Sequence, residues 1–149
     1  MATLLETVAS YLRDQRWPFE QAAGRPLFRI PFAQGDHEWT CFAEVREDQA
    51  RFIFYSVAPT PIPEGDRPAV AEFVTRANYG LPIGNFEIDL DDGEVRCKTA
   101  IDVTGDRLSY ALVKQVVMNN LRAMNTYLPG IAEVVGGAAP KAVIERLGG

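Results

Sequence analysis

The stretch 85-NFEIDLDDGEVRCKTAID-102 decides how the chain is read. It crowds Glu87, Asp89, Asp91, Asp92 and Glu94 beside Arg96 and Lys98. It is therefore either a place where carboxylates gather for chemistry or a charged hairpin. Asp-Gly between alternating apolar residues is among the strongest short hairpin signals. A two-residue turn at Asp92-Gly93 sets Leu90 opposite Val95, Ile88 opposite Cys97 and Phe86 opposite Thr99. The other face then pairs Asp89 with Arg96 and Glu87 with Lys98, so like meets like inside and acid meets base outside. A slip of one residue would turn every side chain to the wrong face.

The chemical readings of the same residues are weaker. A calcium loop of the EF-hand type needs ligands at positions 1, 3 and 5, Gly at 6 and a bidentate Glu at 12. Here Gly93 follows Asp89, Asp91 and Asp92 at offsets that break that order. Acid–base work by paired carboxylates needs one of them buried and raised in pKa, whereas these acids have basic partners. Each exposed ion pair contributes only about 0–1 kcal/mol. The stretch reads as architecture.

Working outward, residues 3–16 predict a helix. Thr3 and Glu6 have capping-box spacing, and Leu4, Leu5, Val8 and Leu12 share a stripe; Pro18 stops it. Three strands follow at 26–33, 38–45 and 51–58. The first carries Phe28, Ile30 and Phe32 on one face, and the second carries Trp39, Cys41, Ala43 and Val45. The third is apolar on both, with Phe52 and Phe54 opposing Ile53, Tyr55 and Val57. Such a strand is expected to be covered on both sides. The Pro-rich run 59–68 is a stiff linker.

A second helix spans 68–79, with Val70, Phe73, Val74 and Ala77 inward and Gly80 closing it in a left-handed conformation. A long helix is expected over 107–127, capped by Asp106 and broken by Pro129-Gly130. Gln115, Asn119, Arg122 and Thr126 mark its wet side. Its apolar stripe, from Leu108 through Val116 to Leu128, is wider than one sheet contact needs. After Gly136-Gly137, residues 140–147 predict a short helix in a terminal extension, 137–149, that can be mobile. The fold class is α+β. A single antiparallel sheet of about five strands carries packed helices in the order α-β-β-β-α-β-β-α(-α), over one domain, 1–149.

The chain has 149 residues and a formal charge of −5, with a pI near 4.9. A chain of this size buries roughly 70% of its unfolded surface, so it needs neither disulfide nor metal to fold. The acidic balance argues against nucleic acid and against anionic membranes. Cys41 and Cys97 sit in alternating apolar segments without CxxC spacing and read as buried thiols. There is no basic-then-apolar leader and no apolar run of membrane-spanning length; the expected location is the cytoplasm.

No catalytic constellation emerges. His37 is the single histidine and falls in the turn between the first two strands. Ser10, Ser56 and Ser109 lie outside any G-x-S-x-G elbow. Neither GxxxxGK[ST] nor GxGxxG occurs. An enzyme is not expected, and no cofactor is called for. The aromatics of the first half are mostly core, yet Trp17, Phe19, Phe32, Trp39 and Phe54 are candidates for a partner-binding groove.

Several blocks together resemble a known family. They are WPFEQ (17–21), WTCFAEVRE (39–47), FIFYSVAP (52–59), AEFVTRANYGLPIGNFEIDLDDGEVRCKTAIDV (71–103) and YLPGI (127–131). Over about residues 5–135 the chain resembles the YbjN-like family of bacterial sensory transduction regulators. That family is similar in fold to the class I chaperones of type III secretion. The resemblance implies a small, acidic, non-enzymatic homodimer that grips a segment of another protein, and it transfers no catalytic residue. By this analogy the first helix and the first half of the sheet receive the partner. Phe86, Ile88 and Leu90, or the long helix at Val116, build the dimer. The alternative is a small-ligand sensor with a pocket between sheet and long helix.

Overall fold

The computed structural model describes residues 2–148. Helix α1, Leu4–Gln15, begins with the capping box its sequence announces. The Thr3 N–H donates to Glu6 at 2.9 Å, and the Glu6 N–H donates to the Thr3 hydroxyl at 3.1 Å. It ends on Arg16, which takes a left-handed φ of 60° while its N–H closes onto the Arg13 carbonyl.

Six strands then form one antiparallel sheet: β1 Glu20–Gln21, β2 Leu27–Gln34, β3 His37–Arg46, β4 Arg51–Val57, β5 Asn85–Ile88 and β6 Val95–Asp102. Their spatial order is β1-β2-β3-β4-β6-β5. The sequence predicts about five; the sixth, β1, is two residues pairing Glu20 with Arg29 and Gln21 with Phe28. Two residues are too few to leave a periodicity.

Three more helices follow: α2 Arg67–Gly80, α3 Tyr110–Val135 and α4 Pro140–Arg146. Helices α1, α2 and α3 pack on one face of the sheet, and α4 packs on α2 and α3. Tyr11 of α1 reaches Trp17, whose ring meets Phe32, which in turn meets Trp39. Phe73 of α2 meets Tyr127 of α3, which meets Phe86 of β5. Alternation along the strands supplies the rest of this core, including Ile30, Cys41, Val45, Phe52, Phe54, Val95 and Cys97.

The hairpin that opened the sequence reading forms, with a different register. Phe86 pairs with Cys97, Glu87 with Arg96 and Ile88 with Val95, two residues away from the expected pairing. A shift of two preserves each side chain's face, so the inside–outside assignment survives while Leu90 leaves the strand and lies exposed. The wider loop is shaped by what it touches. The Gly93 carbonyl accepts from the Ile62 N–H at 2.8 Å, and Arg67 donates to the carbonyls of Ile62, Leu90 and Asp91. A tight turn at Asp92-Gly93 would surrender these bonds to the Pro-rich segment.

Helix α3 differs in both ends. Ser109, not Asp106, caps it, accepting from the Leu112 N–H at 3.2 Å. At the far end it runs through Pro129-Gly130 to Val135. Proline inside a helix costs on the order of 3 kcal/mol, and packing offsets it: Gly130, Ile131 and Val134 are buried. The broad apolar stripe of α3 has an internal explanation, since the helix meets β4 and β6 on one side and α1, α2 and α4 on others. Gly80 is likewise not left-handed. Helix α2 ends because Leu81 precedes Pro82 and is extended, with φ −83° and ψ 119°. The extension after Gly137 places α4 against α2 and α3, with Val143 and Ile144 buried and Arg146 paired to Glu133.

Candidate partner-binding surfaces

Among the described residues, no helix lies on the second face of the sheet. Its middle is apolar: Phe42 stands opposite Tyr55, Thr40 opposite Val57, and Ile53 lies between Glu44 and Ala100. The two-sided apolar pattern of β4 is therefore real, but its outer cover in one copy consists only of neighbouring side-chain stems. The Arg96 guanidinium stacks 4.4 Å over the Tyr55 ring, the geometry of a cation–π contact. Around this strip stand Arg46 with Glu44, Arg51 with Asp102, and Glu87 accepting from both Arg96 and Lys98. Partial burial opposes the Glu87 charge, but hydrogen bonds from Lys98 and Arg96 outweigh it and hold its pKa low. On Asp102, hydrogen bonds from Thr104 and then Arg51 bring the carboxyl to about 2. These acids are held charged, as ion pairs on a surface, and are not poised to exchange protons.

Between α1 and the short edge strand lies a groove of about 490 Å³ lined by Leu5, Ala9, Arg13, Phe19, Gln21 and Phe28, with Glu6 at its edge. Phe19 packs edge-on against Phe28, with ring centroids 5.5 Å apart. Trp17 and Phe32 are half-buried one step away, joined edge to face at 5.4 Å. Trp39 and Phe54, by contrast, are 3% and 0% exposed. Trp39 donates its indole N–H to Ser56 at 2.9 Å. These two aromatics brace the sheet from inside and offer no surface in this copy.

At the opposite edge, the end of α2 and the loops on either side of β5 expose Tyr79, Ile83 and Leu90 by 96%, 54% and 61%. Sequence periodicity does not single out Tyr79 or Ile83. Phe86 is buried, and so is Val116, while Ile88 is half-buried. Both outward backbone groups of Phe86 are already used: its N–H donates to Asn78 Oδ1 at 2.7 Å, and its carbonyl accepts from Asn78 Nδ2 at 3.0 Å. A side-chain amide thus closes the edge of β5 to strand addition at that point.

The space that a sensor domain would need between sheet and long helix is filled. Val113, Val117, Asn120, Leu121 and Met124 are buried there, and Asn120 donates to the carbonyls of Phe54 and Cys97. Among the described residues no cluster of three His, Cys, Asp or Glu side chains is arranged to hold a metal ion. Both cysteines are free and buried. No helix among the described residues is long and apolar enough to cross a membrane.

One antiparallel sheet with helices packed against it is an α+β fold, similar to that of the type III secretion chaperones. YbjN from E. coli, described as a putative transcription regulator, superposes with a TM-score of 0.61 at 10% identity, covering 85% of this chain and 92% of that one. A chain of the ExsC–ExsE complex gives 0.59 at 14% identity, covering 86% and 96%. One from the HopA1–SchA chaperone–effector complex gives 0.51 at 12% identity, covering 83% and 91%. By sequence the chain belongs to the YbjN family, described as "Putative bacterial sensory transduction regulator", whose profile matches residues 4–133. No curated protein matches it in sequence.

Proposed function

We propose that this protein is a non-enzymatic, chaperone-like regulator of a bacterial cytoplasm that works as a homodimer and holds a segment of a partner protein. The observation that carries the reading is the uncovered sheet face, where half-buried Phe42, Tyr55 and Val57 flank the buried Ile53 with no helix above them. Contiguous apolar surface of this kind marks an interaction site in soluble proteins. Two further features support it. The groove between α1 and β1, with Phe19 at its floor and Trp17 and Phe32 beside it, has the shape to take a partner's apolar side chains. The α2–β5 edge, with Tyr79, Ile83 and Leu90 and with Ile88 behind them, is the surface we assign to the second copy. Because Asn78 occupies the Phe86 backbone, that dimer forms through side chains and does not extend the sheet at Phe86. The relatives seen in complexes, ExsC–ExsE and HopA1–SchA, are consistent with a protein as cargo.

Light scattering of the purified chain tests the first half of this reading. A dimer at micromolar concentration that becomes monomeric in Tyr79→Glu/Leu90→Glu is expected; a strict monomer removes it. Crosslinking with mass spectrometry on captured complexes tests the second half. Crosslinks from one specific partner to the neighbourhood of Phe19, lost in Phe19→Glu, are the expected result.

A further inference from the structure

A second cleft shares no lining residue with the sheet face, the α1 groove or the α2–β5 edge. It has a volume of about 660 Å³, inside the range of built ligand sites. One wall is the run from Ala58 to Pro63, where Pro59, Pro61 and Pro63 face the cleft; the floor is the last two turns of α3; the lip is the β2–β3 turn with Asp36 and Glu38. We propose that this cleft binds a short aliphatic segment of another protein that carries lysine or arginine beside its apolar side chains.

Three properties point to that occupant. The floor is a helical stripe, Leu128, Ile131 and Val135, at i, i+3 and i+7, roughly 10 Å long. That length seats two or three consecutive side chains of a peptide. The rim carries two carboxylates, beside His37 and Thr60. Asp36 and Glu38 are exposed carboxylates, and no Lys or Arg lines the cleft. An anionic lip over an apolar floor selects a cationic, aliphatic guest and repels an acidic one.

The site is also built stiff. The proline wall is fixed to the hairpin by the Ala58 N–H on the Val95 carbonyl and the Ile62 N–H on the Gly93 carbonyl, at 2.9 and 2.8 Å. The Arg67 side chain holds the Ile62 carbonyl at 3.0 Å. A preformed wall saves the ordering cost that a mobile loop would impose on binding. This proposal goes beyond the dimer and the α1 groove, and it stands or falls separately from them.

The test is fluorescence polarisation with the labelled peptide acetyl-LKILRLK-amide and its counterpart with every cation replaced by glutamate. The wild-type chain should bind the basic peptide saturably, and less tightly at about 500 than at about 50 mM salt. Ala132 is exposed at the floor. Ala132→Trp fills the cleft and should weaken binding about tenfold or more; Ala132→Arg, which places a cation there, should do the same and serves if the tryptophan disturbs folding. Asp36→Lys/Glu38→Lys should reverse the preference towards the acidic peptide, and Phe19→Glu should leave affinity unchanged. Equal binding of both peptides, no saturable binding, or full affinity in both Ala132 variants overturns the proposal. Loss of affinity in Phe19→Glu also overturns it, by moving the peptide to the α1 groove.

Discussion

The Ser56 hydroxyl donates to Asn120 Oδ1 at 2.6 Å, with both residues fully enclosed. This bond ties α3 to the centre of the sheet. Ser56 also accepts from the Trp39 indole, and the Asn120 amide donates to the carbonyls of Phe54 and Cys97 and contacts the Thr99 hydroxyl. Thr99 in turn donates to the Val116 carbonyl at 2.8 Å. A fully satisfied polar network inside an apolar core specifies one rotation and one height of the helix on the sheet.

Asn120→Ala should therefore cost about 2–4 kcal/mol, from a cavity plus stranded donors and acceptors. Urea unfolding measures it, and the emission of buried Trp39 should change in the folded variant because its partner Ser56 loses its own anchor. A loss under about 0.5 kcal/mol, within the scatter of surface substitutions, would show that the network is not holding the helix.

Gly130→Ala tests the continuity of α3 through its proline. A Cβ at this position would lie 2.6 Å from Phe73 Cζ and 3.1 Å from atoms of Leu147 and Val143. The backbone there is ordinary helix, so overpacking alone decides, at about 1–3 kcal/mol. Were the chain broken at Pro129-Gly130, alanine would be tolerated and the thermal midpoint would not fall.

Gly93→Ala should disconnect the hairpin loop from the proline wall. Gly93 has φ +82°, and a Cβ would lie 2.3 Å from the Ile62 carbonyl oxygen, with a backbone that has no flexible end to yield. Faster exchange of the Ile62 amide hydrogen is the readout, since that N–H donates to the Gly93 carbonyl. Unchanged protection would refute the contact.

Stability should decline on the alkaline side. Burial pushes the Cys41 thiol up to about 12 against the weaker pull of Ser56 and Trp39. Burial, with the neighbouring Cys41, does the same to Cys97, and burial with Tyr110 raises Tyr11 to about 12. A folded pKa above the unfolded one means that the folded state keeps protons that the unfolded chain releases. The contribution is complete below the ordinary thiol value near 9 and is lost progressively as pH climbs towards 12. Urea midpoints should hold level from about pH 7 to 8.5 as far as these groups are concerned and fall beyond it. Cys41→Ala/Cys97→Ala should delay the fall to the tyrosine range. Native thiols that react with iodoacetamide at pH 8 as fast as unfolded ones would contradict this burial.

Tyr11→Phe should be neutral or stabilising. The Tyr11 hydroxyl is buried and, among the described residues, has no hydrogen-bond partner, a state that costs about 1–3 kcal/mol. The ring keeps its edge contacts with Trp17 and Tyr110, so removing the hydroxyl retains the packing. A thermal midpoint lowered by several degrees would show that the hydroxyl has a role the contacts do not reveal.

Much of this molecule was legible in its residues because the relevant forces act over a few positions. Thr3 and Glu6 cap α1 with each other. Alternation assigned Phe28, Ile30, Trp39, Cys41, Ala43 and Val45 to the inner face, and the structure buries them all. The hairpin's faces were correct although its register was two residues off, because a period of two cannot distinguish those registers. Of the surfaces, the two-sided apolar character of β4 was visible, whereas the exposure of Leu90 was not, because it follows from the register. Tyr79 and Ile83 carried no signal, since a lone apolar residue at a helix end or in a loop is ordinary.

The amino-acid order alone fixed the order of helices and strands apart from the two-residue β1, and the buried face of each longer strand, because capping, alternation and turn chemistry are local. Tertiary structure decided the rest. It chose the hairpin register through Arg67 and Ile62, carried α3 through Pro129 by burying Gly130 and Ile131, and set Asn120 beneath Ser56. It also gathered α1, α2 and α3 on one face and left Phe42, Tyr55 and Val57 only half-covered on the other. Each of those outcomes is a contact between residues far apart in the chain, whose energy exists only once the fold has brought them together.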